Sequence, residues 1–359
     1  MNKYEWSIYI SGSKMHPVEV YGGSFVYMDG REKNFRSLGG GARMFTGYWS
    51  SPGNTMNSTK EFPLPTELSV AWFSYTEAKF YGGNFELPYD KILCLFKNEE
   101  LKTIRGDKLF KEKYRNFRVG FAPGGLVVIW ASGSGYVKEV AHFKAEEVQI
   151  DLKELSPTTR RTSISDYAQY YLSEFSYIDD YLSEHSLDSE IALFERYMAR
   201  YNTGFKVAFV DNTKNKISSF NVQFANGERL PFFPEDQVFS ERGNYASMKY
   251  FEVDWIHFNS NGGREELQAN VCIKKEEFLR IYDQAWGSDH SKAVDVIVNI
   301  AKDNKGIEIY LTDGVNRYDF DMEFVQAAGY NYTTEKLLFR TDNYNGRKDE
   351  KFTWDNYSD

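Results

Sequence analysis

Cysteine is nearly absent from this chain: 2 in 359 residues, Cys94 and Cys272. A disulfide framework is therefore excluded as the main source of stability. The pair reads as two buried thiols, one near the helix of each half of the chain. The 5 histidines, His16, His142, His185, His257 and His290, are scattered, and no His-Glu-x-x-His occurs. A zinc centre needs several converging ligands, so metal catalysis has no support, and no cofactor is expected. No run of about 20 apolar residues is present, which excludes an integral membrane helix. The net charge of -9 works against a nucleic-acid backbone as partner. This acidity reads as spread along the chain, where it supports solubility. The start, Met1-Asn-Lys-Tyr-Glu-Trp6, enters a strand-like segment with no apolar signal region. A cytoplasmic protein is expected from it, or a periplasmic or lipid-anchored one if a leader has been removed.

What the chain does have is aromatic residues, 17% of the total, which lean toward strands. It also has an internal echo. Leu68-Ser-Val-Ala-Trp72 matches Phe251-Glu-Val-Asp-Trp255 at a shift of 183, and Gly125-Leu-Val-Val128 matches Gly306-Ile-Glu-Ile309 at 181. Tyr27-Met-Asp-Gly30 matches Phe224-Ala-Asn-Gly227 at 197. Matches in constant order at a falling shift are what duplication followed by loop deletion produces. The expectation is an α+β, strand-dominated fold: two tandem antiparallel β-rich repeats, each with one inserted helix, joined by a helical hairpin. Residues 1–152 form the first repeat, 153–202 a linker and helical hairpin, 203–330 the second repeat and 331–359 a C-terminal extension. Pro88 is well placed to open the first inserted helix, and Lys275 to Trp286 is its equivalent. Ile164, Tyr167, Tyr171, Phe175, Ile178 and Leu182 give the hairpin its helical period, with a break near His185-Ser186.

Catalytic motifs are missing. Ser132-Gly133-Ser134-Gly135 lacks the first glycine of a nucleophile elbow and lies between two strands, so it reads as a turn. Gly39-Gly40-Gly41 is not followed by the Lys-Ser/Thr of a phosphate loop. Glu77 and Glu86 are the one carboxylate pair on offer for glycoside hydrolysis. Glu77 and Lys79 leave the same strand face. They pair with each other, or Lys79 reaches a cross-strand acid, as a structural ion pair or as a polar anchor for a partner. The long loop 35–62 carries Arg43, Phe45, Tyr48 and Trp49 among glycines. These are residue types common at binding hot spots, on a loop longer than connections usually are. The competing reading has Phe45 and Trp49 fold back over a sheet face.

Several motifs together resemble the bacterial "domain of unknown function 2931" family. They are Tyr4-Glu-Trp-Ser7, His16-Pro-Val-Glu-Val20, Leu64-Pro65 ahead of Val70-Ala-Trp72, Tyr75-Thr-Glu-Ala-Lys-Phe-Tyr81, Leu87-Pro88 and Gly120-Phe-Ala-Pro-Gly-Gly-Leu-Val-Val-Ile-Trp130. The likeness spans about residues 4–150, and the second half lacks the Thr-Glu-Ala-Lys-Phe-Tyr and Ala-Pro-Gly-Gly motifs. The family offers no catalytic residues to carry over. The resemblance implies a lipoprotein or exported protein encoded beside phospholipase-like effectors of type VI secretion. That implies a non-enzymatic immunity protein that binds and blocks its cognate effector. The expected partner-binding residues are Arg43, Phe45, Tyr48, Trp49, Glu77 and Lys79. The alternative expectation is a carbohydrate- or envelope-binding module, since aromatic-rich strand platforms suit sugar stacking.

Overall fold

The computed structural model describes residues 2–35, 49–50, 60–97, 101–105, 108–156, 159–210, 215–234 and 236–341. It is strand-dominated α+β and divides into two compact units, Met1–Arg196 and Tyr197–Tyr357. Among the described residues no helix is long and apolar enough to cross a membrane.

Unit one contains strands β1 (Tyr4–Gly12), β2 (Val18–Tyr27), β3 (Glu32–Phe35), β4 (Lys60–Phe62), β5 (Pro65–Ser74) and β6 (Lys79–Glu86). Helix α1 (Tyr89–Lys97) follows, then the hairpin β7 (Leu101–Arg105) and β8 (Lys108–Glu112). The unit continues with β9 (Asn116–Ala122), β10 (Leu126–Gly133), β11 (Tyr136–Lys144) and β12 (Glu146–Glu147). One sheet runs β12-β6-β5-β2-β3. The other runs β4-β1-β9-β10-β11, antiparallel except for β1 beside β9. Alternation along each strand decides what faces inward. Trp6, Ile8 and Ile10 of β1 and Phe117, Val119 and Phe121 of β9 meet Phe25 of β2 and Leu68, Val70 and Trp72 of β5 in one core. Trp6 packs edge-on against Phe25 at 5.7 Å, and Trp72 lies 4.7 Å from Phe121, so aromatic pairs bridge the two sheets. Helix α1 contributes Ile92, Leu95 and Phe96 to the same core.

Helices α2 (Leu152–Leu155), α3 (Ile164–Leu172), α4 (Ser176–Glu184) and α5 (Leu187–Tyr197) follow. The expected helical hairpin is thus broken once more than its period suggested, after Leu172. Ser173 turns its hydroxyl back to the Tyr170 carbonyl at 2.7 Å, and Ser183 does the same to Asp180. Such bonds compete with continued helix. The helical segment also ends earlier than residue 202, because Tyr201 already pairs in a strand.

Unit two contains β13 (Tyr201–Phe209), β14 (Lys216–Phe224), β15 (Arg229–Phe232), β16 (Phe239–Tyr245), β17 (Met248–Phe258) and β18 (Arg264–Ile273). Then come α6 (Lys275–Trp286), β19 (Val294–Ile300), β20 (Ile307–Thr312), β21 (Arg317–Asp319), β22 (Val325–Asn331) and β23 (Lys336–Arg340). Its strands pair as β23-β22-β18-β17-β14-β15 and as β16-β13-β19-β20-β21, with β13 parallel to β19. Phe205 of β13 meets Phe220 of β14 at 5.7 Å across the interior.

The pairing scheme of unit two repeats that of unit one, apart from the β7–β8 hairpin of unit one and the edge strand β23 of unit two, which have no counterparts. Val20 opposes Trp72 and the register slips before Gly22; Ile217 opposes Trp255 and it slips before Ser219. A second slip falls at Val26/Tyr27 in one unit and Gln223/Phe224 in the other. Bulges fix a strand's bend and twist locally, so the two units bend at equivalent places. The match of Gly125–Val128 with Gly306–Ile309 needs a correction of one residue. Val127 and Ile129 face the core of unit one, whereas Ile309 and Leu311, not Glu308 and Tyr310, are buried in unit two. A slip of one residue in a strand reverses every side chain.

Candidate functional site

The turn between β5 and β6 holds Thr76 and Glu77, and the turn between β9 and β10 holds Pro123-Gly124-Gly125. The structure brings these two motifs together. Glu77 Oε1 accepts from the Tyr81 hydroxyl at 2.7 Å and from the Gly124 N–H at 3.0 Å, while Oε2 accepts from the Ser74 hydroxyl at 2.7 Å. Gly124 has φ +72°, and a Cβ there would lie 2.7 Å from Cγ2 of Ile191 on α5. Glycine is required twice over, for its backbone conformation and for the approach of the helix. Beside it, Lys144 at the end of β11 pairs with Glu195 of α5 at 2.7 Å. The motif region is a seat for the helical layer.

Buried polar contacts fix the layer on that seat. His16 follows β1 and is 1% exposed. Its Nε2 lies 3.0 Å from Glu190 Oε2 on α5, itself 4% exposed, and its Nδ1 lies 3.2 Å from the Thr76 hydroxyl. Tyr181 of α4 and Phe194 of α5 stand edge-on to the imidazole. On β2, Glu19 Oε2 accepts from the Tyr75 hydroxyl at 2.7 Å and from the Tyr167 hydroxyl of α3 at 3.3 Å. Burial pushes the Glu19 carboxyl above its ordinary range, and the two hydroxyls only partly offset this. Around these contacts Phe73, Tyr75 and Phe80 pack with Leu152, Tyr167 and Ala168.

The expected partner-binding residues separate into three groups. Arg43, Phe45 and Tyr48 lie outside the described residues. Trp49 is not an exposed anchor: it is 2% exposed, edge-on to Trp130 at 5.1 Å and to Phe194 at 5.2 Å. It covers the outer face of β10 under α5. Glu77 serves the internal tie just described, and Lys79 does not pair with it. Lys79 Nζ instead reaches Glu147 on the neighbouring β12 at 2.9 Å, with both side chains nearly half exposed. The two glutamates offered for glycoside hydrolysis stand at opposite ends of β6, apart by roughly 23 Å of strand rise, against the about 5–10 Å such a pair requires. They form no catalytic pair. Cys94 is exposed on α1 rather than buried. Burial pushes the Cys272 thiol up to about 12, so it is inert at neutral pH. Among the described residues no three His, Cys, Asp or Glu side chains are grouped to hold a metal ion.

His16, Glu19, Tyr75 and Glu190 were not singled out by residue patterns, and Tyr167 was read only as part of the helical period. His16, Glu19 and Tyr75 sit in motifs that carry the family resemblance. Their helical partners lie up to 174 positions away, where no local pattern reaches.

The family model for DUF2931, a protein family of unknown function, matches residues 1–181. The chain belongs to this family. The matched region takes in both sheets of unit one, α1 to α3 and most of α4, so the family's domain includes part of the helical layer. No curated protein and no solved structure matches the chain. In this DUF2931 chain the Thr-Glu-Ala-Lys-Phe-Tyr and Ala-Pro-Gly-Gly motifs gain a physical role as the seat of α5. That role accounts for their absence from unit two, where strands β20 and β21 are followed by a single 3-10 turn and β22.

Two outcomes follow for these residues. Glu77→Ala should cost about 2 kcal/mol in chemical denaturation, because three donors lose a charged acceptor; Lys79→Ala should cost no more than about 0.5 kcal/mol, as for other exposed ion pairs. Equal costs would contradict the division between tie and surface pair. For Glu19 the sign is set by its raised carboxyl. The folded chain keeps the proton at a pH where the unfolded chain has released it, so the contribution is full in acid and is lost as pH rises through the folded pKa. Glu19→Gln should therefore melt increasingly above the parent as pH rises above the ordinary glutamate range of about 4. A difference in melting temperature that does not vary with pH would contradict it.

Proposed function

We propose that this chain is a non-enzymatic binding protein of the immunity type, holding and blocking a cognate secreted antibacterial effector. The observation that supports this reading is the helical layer. It is laid over a rigid sandwich, cemented by buried polar pairs, and lies against family motifs that have no counterpart in unit two. Preorganised surfaces of this kind bind without an ordering cost. We infer also that the two units are copies of one ancestral domain, a reading supported by the matching bulges, with unit two acting as a support or a second clamp. The site of the effector's action sets whether the protein works in the cytoplasm or the periplasm.

A carbohydrate-binding reading draws on the amide- and carboxylate-rich face of β14, β17 and β18. There Gln268 donates to Asp254 at 2.8 Å, Asn221 to Glu252 at 2.9 Å and Tyr250 to Asn270 at 2.5 Å. These groups satisfy one another, which leaves fewer of them for a sugar and favours the protein-binding reading.

Co-expression decides between them. Cells producing the product of the gene adjacent to this one should grow normally only when this chain is present, and the two proteins should co-purify. Absence of both protection and complex, together with specific binding on a glycan array, would favour the second reading.

A further inference from the structure

A strand at the border of a sheet presents unpaired N–H and C=O groups, and folded proteins blunt such edges against further pairing. Several edges of this fold are blunted. β3, β4, β12 and β21 run for only two to four residues, and the register of β23 is broken by a bulge. β16 differs from all of these. It is 7 residues long, contains no proline and pairs with β13 in an unbroken register. Its other side is the border of the β16-β13-β19-β20-β21 sheet. In an antiparallel pair, alternate residues turn both backbone groups away from the partner strand. Along the border side those groups of residues 239–245 have no backbone partner among the described residues.

The side chains leave this border open. A charge held over an edge is a common guard, and Arg242 is the base available for it. Arg242 is drawn inward instead. It stands opposite Gly204 on β13, which stands opposite Asp295 on β19. Its guanidinium crosses the glycine to bond the Asp295 carboxylate. A Cβ on Gly204 would lie 2.7 Å from Arg242 Nη2, so the missing side chain is what lets the arginine cross. Next along β16, Gly243 has no side chain, and the Tyr245 ring folds back over it, 2.6 Å from where a Cβ would stand. Lys206 of β13 reaches the same Asp295 at 2.6 Å. Lys206 and Arg242, 50% and 40% exposed, thus share one carboxylate. A surplus positive charge is left on that face beside the border, while Glu241 leaves the opposite face of the strand.

We propose that the free border of β16 is a strand-addition site for an extended segment of a protein partner, one that carries an acidic side chain level with Arg242. The unpaired backbone groups set the class of ligand, because another extended backbone matches their spacing and satisfies them in turn. The surplus charge sets the side chain. The proposal rests on the binding function above and gives unit two its part in it, as the clamp that pairs with the partner's backbone. A second copy of this chain fits less well. Pairing two 7-residue borders alone falls short of the roughly 1,200 Å² that a stable interface buries. The two-fold register centred on Arg242 also sets two guanidinium groups side by side. A different protein adds contacts beyond the strand.

Hydrogen exchange on the full chain, alone and with the product of the adjacent gene, tests the site. In the free chain the β16 amides should alternate between protected and fast, the fast ones being those of the border. In the complex these fast amides should slow at least about tenfold. A complex in which they stay fast overturns the site and leaves the binding function standing. If that product does not bind, the immunity reading fails, and the peptide Thr-Val-Thr-Asp-Thr-Val-Thr becomes the probe. Slowing confined to β16 then keeps the site, and no slowing overturns it. The same peptide with Lys in place of Asp should bind at least about tenfold more weakly; equal binding removes the acidic requirement. Protection of the border amides that grows with protein concentration in the absence of any partner would assign the edge to a second copy and overturn the proposal.

Discussion

Everything distinctive in unit one hangs on polar groups buried between the helices and the sandwich. His16 with Glu190, and Glu19 with Tyr75 and Tyr167, are withdrawn from water and must find each other or leave unpaired groups inside. Apolar packing alone would hold helices against a sheet while allowing several positions. A buried pair allows one, and breaking it by removing a single partner is strongly unfavourable. The surrounding rings, Trp49 and Phe194 over Trp130 on one side and Phe73 and Phe80 beneath Tyr167 on the other, then pack into a layer whose position is already fixed.

This arrangement relates the internal echo to the family motifs. Trp72 and Trp255, the bulges beside them and the helices α1 and α6 are what the sandwich itself needs, and they occur in both units. Glu77, Gly124 and His16 are what the helical layer needs, and they occur in unit one.

Much of the scaffold was legible in the residues. Alternation along β5 and β17, the proline that precedes α1 and the stepped echo all act over short distances, where pattern and structure coincide. The candidate site was less so. Trp49 carried the mark of a binding residue by type and by its glycine-rich surroundings, yet it is interior, because burial is decided by a helix more than a hundred positions away. Glu77 looked like half of a surface ion pair, but its acceptors face a turn formed far along the chain. The extra break after Leu172 came from serine hydroxyls that compete with the helix, an effect weaker than the apolar period that masked it.

Native-state amide hydrogen exchange on the parent and on Glu190→Ala tests the central claim, that buried polar pairs fix the helical layer. In the parent, the amides of α3 and α5 should open only with the sandwich strands of unit one, at similar protection. In Glu190→Ala the amides of α4 and α5 should exchange at least about tenfold faster while those of β5 and β10 keep their protection. Rapid exchange of these helices in the parent, or no change in the variant, would contradict the account.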